Sequence, residues 1–461
     1  MPTFKKSDII SIEIESLNIR GQGIGFKIED DIKYSFAVPR AFPGDLVEVY
    51  IKKIKKNFVD CDLQKIIRPS KDRVDPINSY AKIAGSTPLE LLDYPKQLFY
   101  KQNEVKRLLS NVNLKAEISN IKGMLSPSFY RNKMQYSFGK APDTFEFELG
   151  MHHYRYKFRV VEVLDCKLCD PICSPIVKFT KDYFINSNFT IYDFRNGEGD
   201  LRNLTIRASK NTDEKMLILE VSNSENLDLF SDYFDKLLKE FKEISSVFLH
   251  VTTQVKGQKT KVELIHISGK QTMQEKLRIN EKEYLFEILP MAFFQPNTKQ
   301  AEVIYEQVRA YCNSKYEVIY DLFCGTGTIS MILSDKADKV YGVEIEPQSI
   351  EVAKQNTKLN KISNIEFSLG DVYKVLKASN FQKPDLVVVD PPRSGLTEKA
   401  IDLICDLKPQ ELIYVSCNIK TFITNALMLE EKGYKLQLVT PIDQFPHTRH
   451  LELVTKFTLE K

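Results

Sequence analysis

The chain has 461 residues, a net charge of +3 from 65 Lys and Arg against 62 Asp and Glu, and 43% hydrophobic residues, enough core for about two to four domains. No apolar run approaches the roughly 18 residues of a membrane-spanning helix, and residues 1–15 lack the basic, apolar, small-residue order of a secretory leader. Eight scattered cysteines fit a reducing cytoplasm better than a disulfide framework, and near-neutral charge still permits a nucleic-acid partner if the cations gather on one face.

In chain order, residues 1–67 alternate apolar and polar side chains in short runs (SIEIESLNI, YSFAVP, DLVEVYIKKI) between the turn sequences GQGIG and PGD. That pattern predicts a small closed β-barrel. Lys52, Lys53, Lys55 and Lys56, with Phe58 beside them, suit a phosphate backbone, or equally a charged edge strand that resists aggregation. Residues 68–93 are rich in Pro, Ser and charge and read as a linker. A helix is predicted from Pro95 to about Asn111, with Leu98, Val105, Leu108 and Leu109 at helical spacing. The region 94–290 is otherwise mostly strands with a few helices. Within it, Phe129, Arg131 and Lys133 of FYRNKMQY combine rings and cations, which stack splayed bases and meet phosphates; an ordinary half-buried strand is the plainer reading.

The segment FFQPN, with Gln295, leads into a helix from Thr298 to Tyr311, with Pro296 and Asn297 at its start. From Val318 strand and helix alternate, predicting an α/β, doubly wound, Rossmann-like sheet over 291–461 that gathers ligands at its C-terminal strand ends. The strand Val318–Phe323 runs into Gly325 and Gly327, which let the backbone turn tightly and approach a ligand. The next strand, Lys339–Val343, delivers Glu344, where a carboxylate can accept hydrogen bonds from two ribose hydroxyls. These features mark a nucleoside-cofactor site. The segment DLFCGTGT resembles the first motif of the class I S-adenosylmethionine-dependent methyltransferases, a family that often places an acid such as Asp371 near the adenine. Two further strands deliver Asp390-Pro-Pro-Arg393 and Ser416-Cys417-Asn418 to the same edge.

A cysteine there has a specific use. The C5 carbon of uracil is a weak nucleophile, but a thiolate adding at C6 turns C5 into an enolate carbon that can take a methyl group. Arg393 would favour the thiolate or the charge developing on the base. A base must then remove the C5 proton, and Glu452 of HLELV opens the last apolar strand. Plain burial of Cys417 and plain exposure of Glu452 are the bland alternatives.

Gln295, DLFCGTGT, Glu344, DPPR, SCN and the terminal His-x-Glu together resemble the RNA 5-methyluridine methyltransferases of the TrmA/RlmD/RlmC type, over nearly the whole chain. The resemblance implies S-adenosyl-L-methionine as cofactor, contacted by Gln295, Phe323, Glu344 and Asp390, with Cys417 as nucleophile and Glu452 as proton acceptor. Residues 1–67 resemble the TRAM barrel, an RNA-binding module. Barrel and FYRNK segment look most like the 23S rRNA branch of the family, with a tRNA enzyme or one enzyme serving two rRNA sites as the alternatives. The resemblance further implies a cytoplasmic, membrane-free and monomeric enzyme.

Two departures stand out. Members of that branch often hold an iron-sulfur cluster on C-x5-C-G-x-C plus a fourth cysteine; here Asn78, Ala84 and Thr87 occupy the first three places, leaving Cys166. No iron-sulfur cluster is therefore expected, because a cluster needs four thiolates. Cys166, Cys169 and Cys173 form a C-x2-C-x3-C run with no fourth ligand, a weak metal signal. Ile419 replaces the usual proline after SCN and removes no reacting group. Asp-Pro-Pro also resembles the amino-methyltransferase signature, which carries an aromatic residue at the place of Arg393 and needs no cysteine. An RNA-binding protein with a retired methyltransferase fold would have broken motifs, and these are intact.

Overall fold

A computed structural model describes residues 3–156, 158–223, 227–254 and 257–460. The first six strands, from Ile9–Glu13 to Phe58–Arg68, form one sheet. It closes because its first segment pairs both ways: Ile9–Glu13 lies antiparallel to Leu46–Tyr50, while Ser16–Leu17 pairs with Gly23–Ile24. The inward side chains Phe36, Val47, Val49, Ile51 and Val59 are fully buried, which is the alternation seen in the sequence turned into a core.

Residues 68–93 are a packed strap rather than a slack connection. Arg73 holds the buried Asp45 through two bonds of 2.7 and 2.8 Å. Arg40 donates to the carbonyls of Ala81, Lys82 and Ala84. Leu89 and Leu92 are buried beside Leu17 and Phe42 of the barrel. Polar composition suggested a loop, but here Arg40 satisfies backbone carbonyls that a loop would leave to water and Arg73 ties the segment to Asp45.

The middle of the chain is a seven-stranded mixed sheet, Lys133–Lys140 to Lys261–Gly269, whose core takes in the helices Cys173–Ile185 and Leu227–Glu240. The hairpin Met273–Ile279 with Lys282–Ile288 instead shares a core with the helix Thr298–Tyr311 and the C-terminal sheet.

That last sheet has eight strands in the order Ile365–Leu369, Ala337–Glu344, Tyr316–Leu322, Leu386–Val389, Glu411–Ser416, Glu452–Leu459, Tyr434–Ile442 and Glu117–Ile118. The first five run parallel. Leu386–Val389 is wholly buried, as a strand covered on both faces must be. Glu452–Leu459 is antiparallel to both neighbours, with Leu453 opposite Ser416 and Glu452 opposite Ile442. Because it runs the other way, its first residue lies where the parallel strands end. The chain's last strand therefore begins beside Cys417. Among the described residues, no helix is long and apolar enough to cross a membrane.

Candidate active site

The cofactor loop follows the strand Tyr316–Leu322. Gly327 has φ 76, and a Cβ on it would lie 2.7 Å from the Phe367 ring, so both conformation and space require glycine. Phe323 also adopts a left-handed backbone, φ 64, a costly state for a non-glycine residue. Glu344 closes the loop: one carboxylate oxygen accepts from the Gly325 N–H at 3.0 Å and the other from the N–H groups of Ile345 and Glu346. Asp371 is exposed and caps the helix Val372–Ala378 through the Lys374 N–H, so its carboxylate already has a structural use.

Two acids lie behind this loop, Asp321 buried and Asp390 half-buried. Asp321 accepts from the Ser330 hydroxyl at 2.5 Å, while its Oδ1 is buried with no hydrogen-bond partner among the described residues. Burial first, then the charge of Glu344, pushes its carboxyl up to about 7. Burial and then Asp321 push Asp390 up to about 7 as well. Gln295 is buried and accepts from the Gln444 amide at 3.0 Å, which ties FFQPN to the terminal segment. Asn297 caps the following helix, accepting from the Gln300 N–H. Tyr305 on that helix, which the sequence did not single out, is buried within the fields of Asp390, Asp321 and Glu452.

The reacting groups meet at the sheet's C-terminal edge. Cys417 is half-buried, whereas the other seven cysteines are buried. Burial is the largest cause raising its thiol to about 11; Glu452 and Asp390 raise it further and Arg393 lowers it. Arg393 therefore acts in the anticipated direction but does not prevail. Glu452 is buried, 4% exposed; desolvation and then Asp390 hold its carboxyl well above the usual range, against Arg393. Without RNA, burial thus favours the protonated forms of both Cys417 and Glu452. Ile419 is the first residue of the helix Ile419–Glu431, capped by Asn418 accepting from the Lys420 N–H. Proline is favoured at that position because its N–H is not needed, so isoleucine leaves the turn intact.

Cys417 opens into a cleft of about 250 Å³ lined also by Ile19, Arg20, Arg393, Lys420, Arg449 and His450. Of these, Ile19, Arg20, Lys420 and Arg449 were missed by the sequence reading; Lys420 lies three residues past Cys417 and Arg449 directly before the terminal His-x-Glu, whereas no motif lies near Ile19 or Arg20. His450 is pushed down to about 4, by burial first and then by Arg393, Arg449, Lys101 and Arg131. The segment bearing it is clamped from the helix Tyr94–Ser110: Lys101, 6% exposed, bonds Asp443 at 2.5 Å and the carbonyl of His450 at 3.2 Å.

The FYRNK segment divides. Phe129 is exposed. Tyr130 is buried and donates to the Pro446 carbonyl. Arg131 is half-buried, 5.9 Å from the centroids of both Tyr130 and Phe445, and so borders the terminal segment. Lys133 is half-buried and lowered to about 8 by desolvation, then by Arg207.

The places matching an iron-sulfur site do not fit one. Asn78 donates to Glu90 at 2.9 Å and accepts from the Lys167 N–H at 2.7 Å. Ala84 and Thr87 are buried, and Cys166 lies 3.1 Å from the Tyr80 hydroxyl. No group of three or more potential metal ligands occurs among the described residues.

Known proteins resemble this chain over most of its length. The sequence profile of the tRNA (uracil-5-)-methyltransferase family matches residues 224–458. An uncharacterised RNA methyltransferase of Clostridium tetani is 32% identical, covering 98% of this chain and 97% of its own. Another, of Protochlamydia amoebophila, is 35% identical over 92% and 99%. The tRNA (uracil-54, C5)-methyltransferase of Pyrococcus abyssi, solved with S-adenosyl-L-homocysteine, superposes with a TM-score of 0.75 at 26% identity, over 97% of this chain and 100% of that one.

Proposed function

The chain belongs to the tRNA (uracil-5-)-methyltransferase family, S-adenosylmethionine-dependent enzymes acting on RNA, and from that premise we propose that it methylates C5 of a uridine through a covalent bond from Cys417 to C6. The observation that carries this is the meeting of Cys417, Arg393, Asp390 and Glu452 at one strand edge, below an open cationic cleft.

The residues present fit the cofactor. Gly325 has open space beside its backbone, Glu344 stands at the end of the neighbouring strand, and the partnerless Asp321 Oδ1 offers an acceptor to a cationic donor. Gln295, Phe323 and Asp390 complete its surroundings. When bound, S-adenosylmethionine supplies an electrophilic methyl group.

Cys417 gives its proton to solvent and adds to C6 while Arg393 steadies the negative charge on the base. C5 then takes the methyl group. Glu452, ionised once a cation or solvent relieves its burial, removes the C5 proton; the C6–S bond breaks and the thiolate leaves. The uridine must be flipped out of its stack to reach Cys417.

For the RNA itself, the barrel and the FYRNK segment, with Phe129, Arg131 and Lys133 toward the RNA, support 23S rRNA. The Pyrococcus tRNA enzyme favours a second reading, because it aligns with almost the whole chain and the barrel thus ceases to distinguish the two. Labelled methyl transfer to unmodified 23S rRNA and to unmodified tRNA, followed by nucleoside mass spectrometry, separates them. Cys417→Ala abolishes turnover and keeps cofactor binding. Glu452→Gln leaves a protein-RNA adduct that survives denaturing electrophoresis. Label in N6-methyladenosine would refute the chemistry.

A further inference from the structure

The cleft above Cys417 has walls from opposite ends of the chain. Arg393, Lys420 and Arg449 come from the methyltransferase sheet and its terminal segment, but Ile19 and Arg20 belong to the barrel's loop between Ser16–Leu17 and Gln22–Glu29. All four cations are exposed, and none has an ion-pair partner within 4.0 Å among the described residues. Ordinary surface cations on this protein are often paired, as Arg68 is with Glu13 and Lys432 with Asp402.

The loop is built to hold Arg20 in place. The Asn18 side chain accepts from the N–H groups of Arg20 at 2.8 Å and Gln22 at 3.1 Å, and the Gly21 N–H donates to the Asn18 carbonyl at 2.8 Å. Glu104 of the helix Tyr94–Ser110 accepts from the Ile19 N–H at 3.1 Å. Gly21 has φ 69, and a Cβ there would sit 3.3 Å from Arg449 and 3.4 Å from Leu89. The loop is thereby seated on the same segment that leads to Glu452. Four unpaired cations converging on an open cleft create a strongly anion-attracting mouth.

We propose that Arg20 of the barrel is part of the active site, where with Arg449 and Lys420 it grips an RNA phosphate next to the flipped uridine. This rests on the uridine reading above. A base swung into a pocket drags its backbone with it, so the flanking phosphates must pass over the rim of that pocket. Arginine suits the task because its planar fork meets phosphate oxygens bidentately. The barrel then contributes to positioning at the reaction centre and does more than add affinity at a distance.

The test uses the full-length enzyme, its Arg20→Ala and Arg20→Lys variants, and a short fluorescein-labelled oligouridine, with binding followed by anisotropy as salt is raised. Losing one phosphate contact on a single strand makes the slope of log K against log salt shallower by about 0.7. That change is expected for Arg20→Ala, with the slope restored in Arg20→Lys and S-adenosylmethionine binding unchanged in both. An unaltered slope in Arg20→Ala overturns the proposal, as does a loss of cofactor binding together with a lowered unfolding midpoint in both variants, which would make Arg20 a prop for barrel docking. Methylation of unmodified RNA is scored on the same wild-type sample. A slope that stays put while 5-methyluridine forms sinks Arg20 alone; a slope that changes while no RNA is methylated sinks the uridine reading alone.

Discussion

The ionisation of Cys417 can be measured without RNA. Its thiol is pushed up to about 11, about 2.5 units above an ordinary cysteine near 8.5. At neutral pH the thiolate population is then roughly 300-fold smaller than that of a free thiol. A more basic thiolate is a better nucleophile, and a Brønsted coefficient of about 0.4 recovers roughly tenfold. Cys417 should accordingly react with iodoacetamide about 30-fold more slowly than free cysteine at pH 7, with the rate climbing about tenfold per pH unit up to pH 9 and beyond. The other seven cysteines are buried, so peptide mass spectrometry of the folded protein reads Cys417 against a quiet background. The causes have signs that can be tested separately. Arg393→Ala removes the charge that lowers the thiol and should slow alkylation, whereas Glu452→Gln removes a charge that raises it and should quicken alkylation at the higher pH where Glu452 is ionised. A rate that levels off below pH 9, or a Glu452→Gln protein that reacts more slowly than wild type, would refute the electrostatic account. The consequence for catalysis is that RNA binding must itself help the thiol to ionise.

The acids behind the cofactor loop make stability depend on pH. Asp321 and Asp390 are raised from 3.8 to about 7, so between about pH 4 and pH 7 the folded protein binds protons that the unfolded chain has released. Their stabilisation is full below about pH 4 and is lost as pH rises to 7, by up to about 4 kcal/mol each and less for the pair, since part of the rise at Asp390 comes from Asp321; Asp390→Asn should flatten that part of a denaturant-midpoint profile, and an unchanged slope would count against it. Lys101→Met strands the buried Asp443 and should cost about 3–5 kcal/mol in urea titration, with Tyr94 still donating to Asp443 at 2.8 Å. Adding Asp443→Asn should recover part of that loss, and a double variant as unstable as the sum of the singles would disprove the pairing. Gly327→Ala places a methyl group against Phe367 and Ala353 at a left-handed φ and should weaken S-adenosylmethionine binding at least tenfold by calorimetry, with wild-type affinity as the refuting result.

Much of this protein is written locally. Alternation in residues 1–67 forms the barrel, and the repeated strand, turn and helix from Val318 onward forms the parallel sheet, because side-chain periods of two and of about 3.6 residues act over a few neighbours. Gly325, Gly327, Glu344, Asp390 and Cys417 were legible for the same reason: each follows an apolar strand directly, and a doubly wound sheet brings such ends together. Glu452 could be named from its motif, but its place beside Cys417 depends on an antiparallel strand inserted next to Glu411–Ser416. Other features belong to tertiary structure alone. The strap 68–93 looked like a linker since only the fold reveals which carbonyls Arg40 meets. Arg20 lies more than 390 residues before Cys417 in the sequence, and only the docking of the barrel loop on Arg449 brings it to the cleft. The proton on Cys417 is equally non-local: the sequence supplies a thiol, two acids and an arginine, but desolvation is a property of the packing around them, and it outweighs the arginine here.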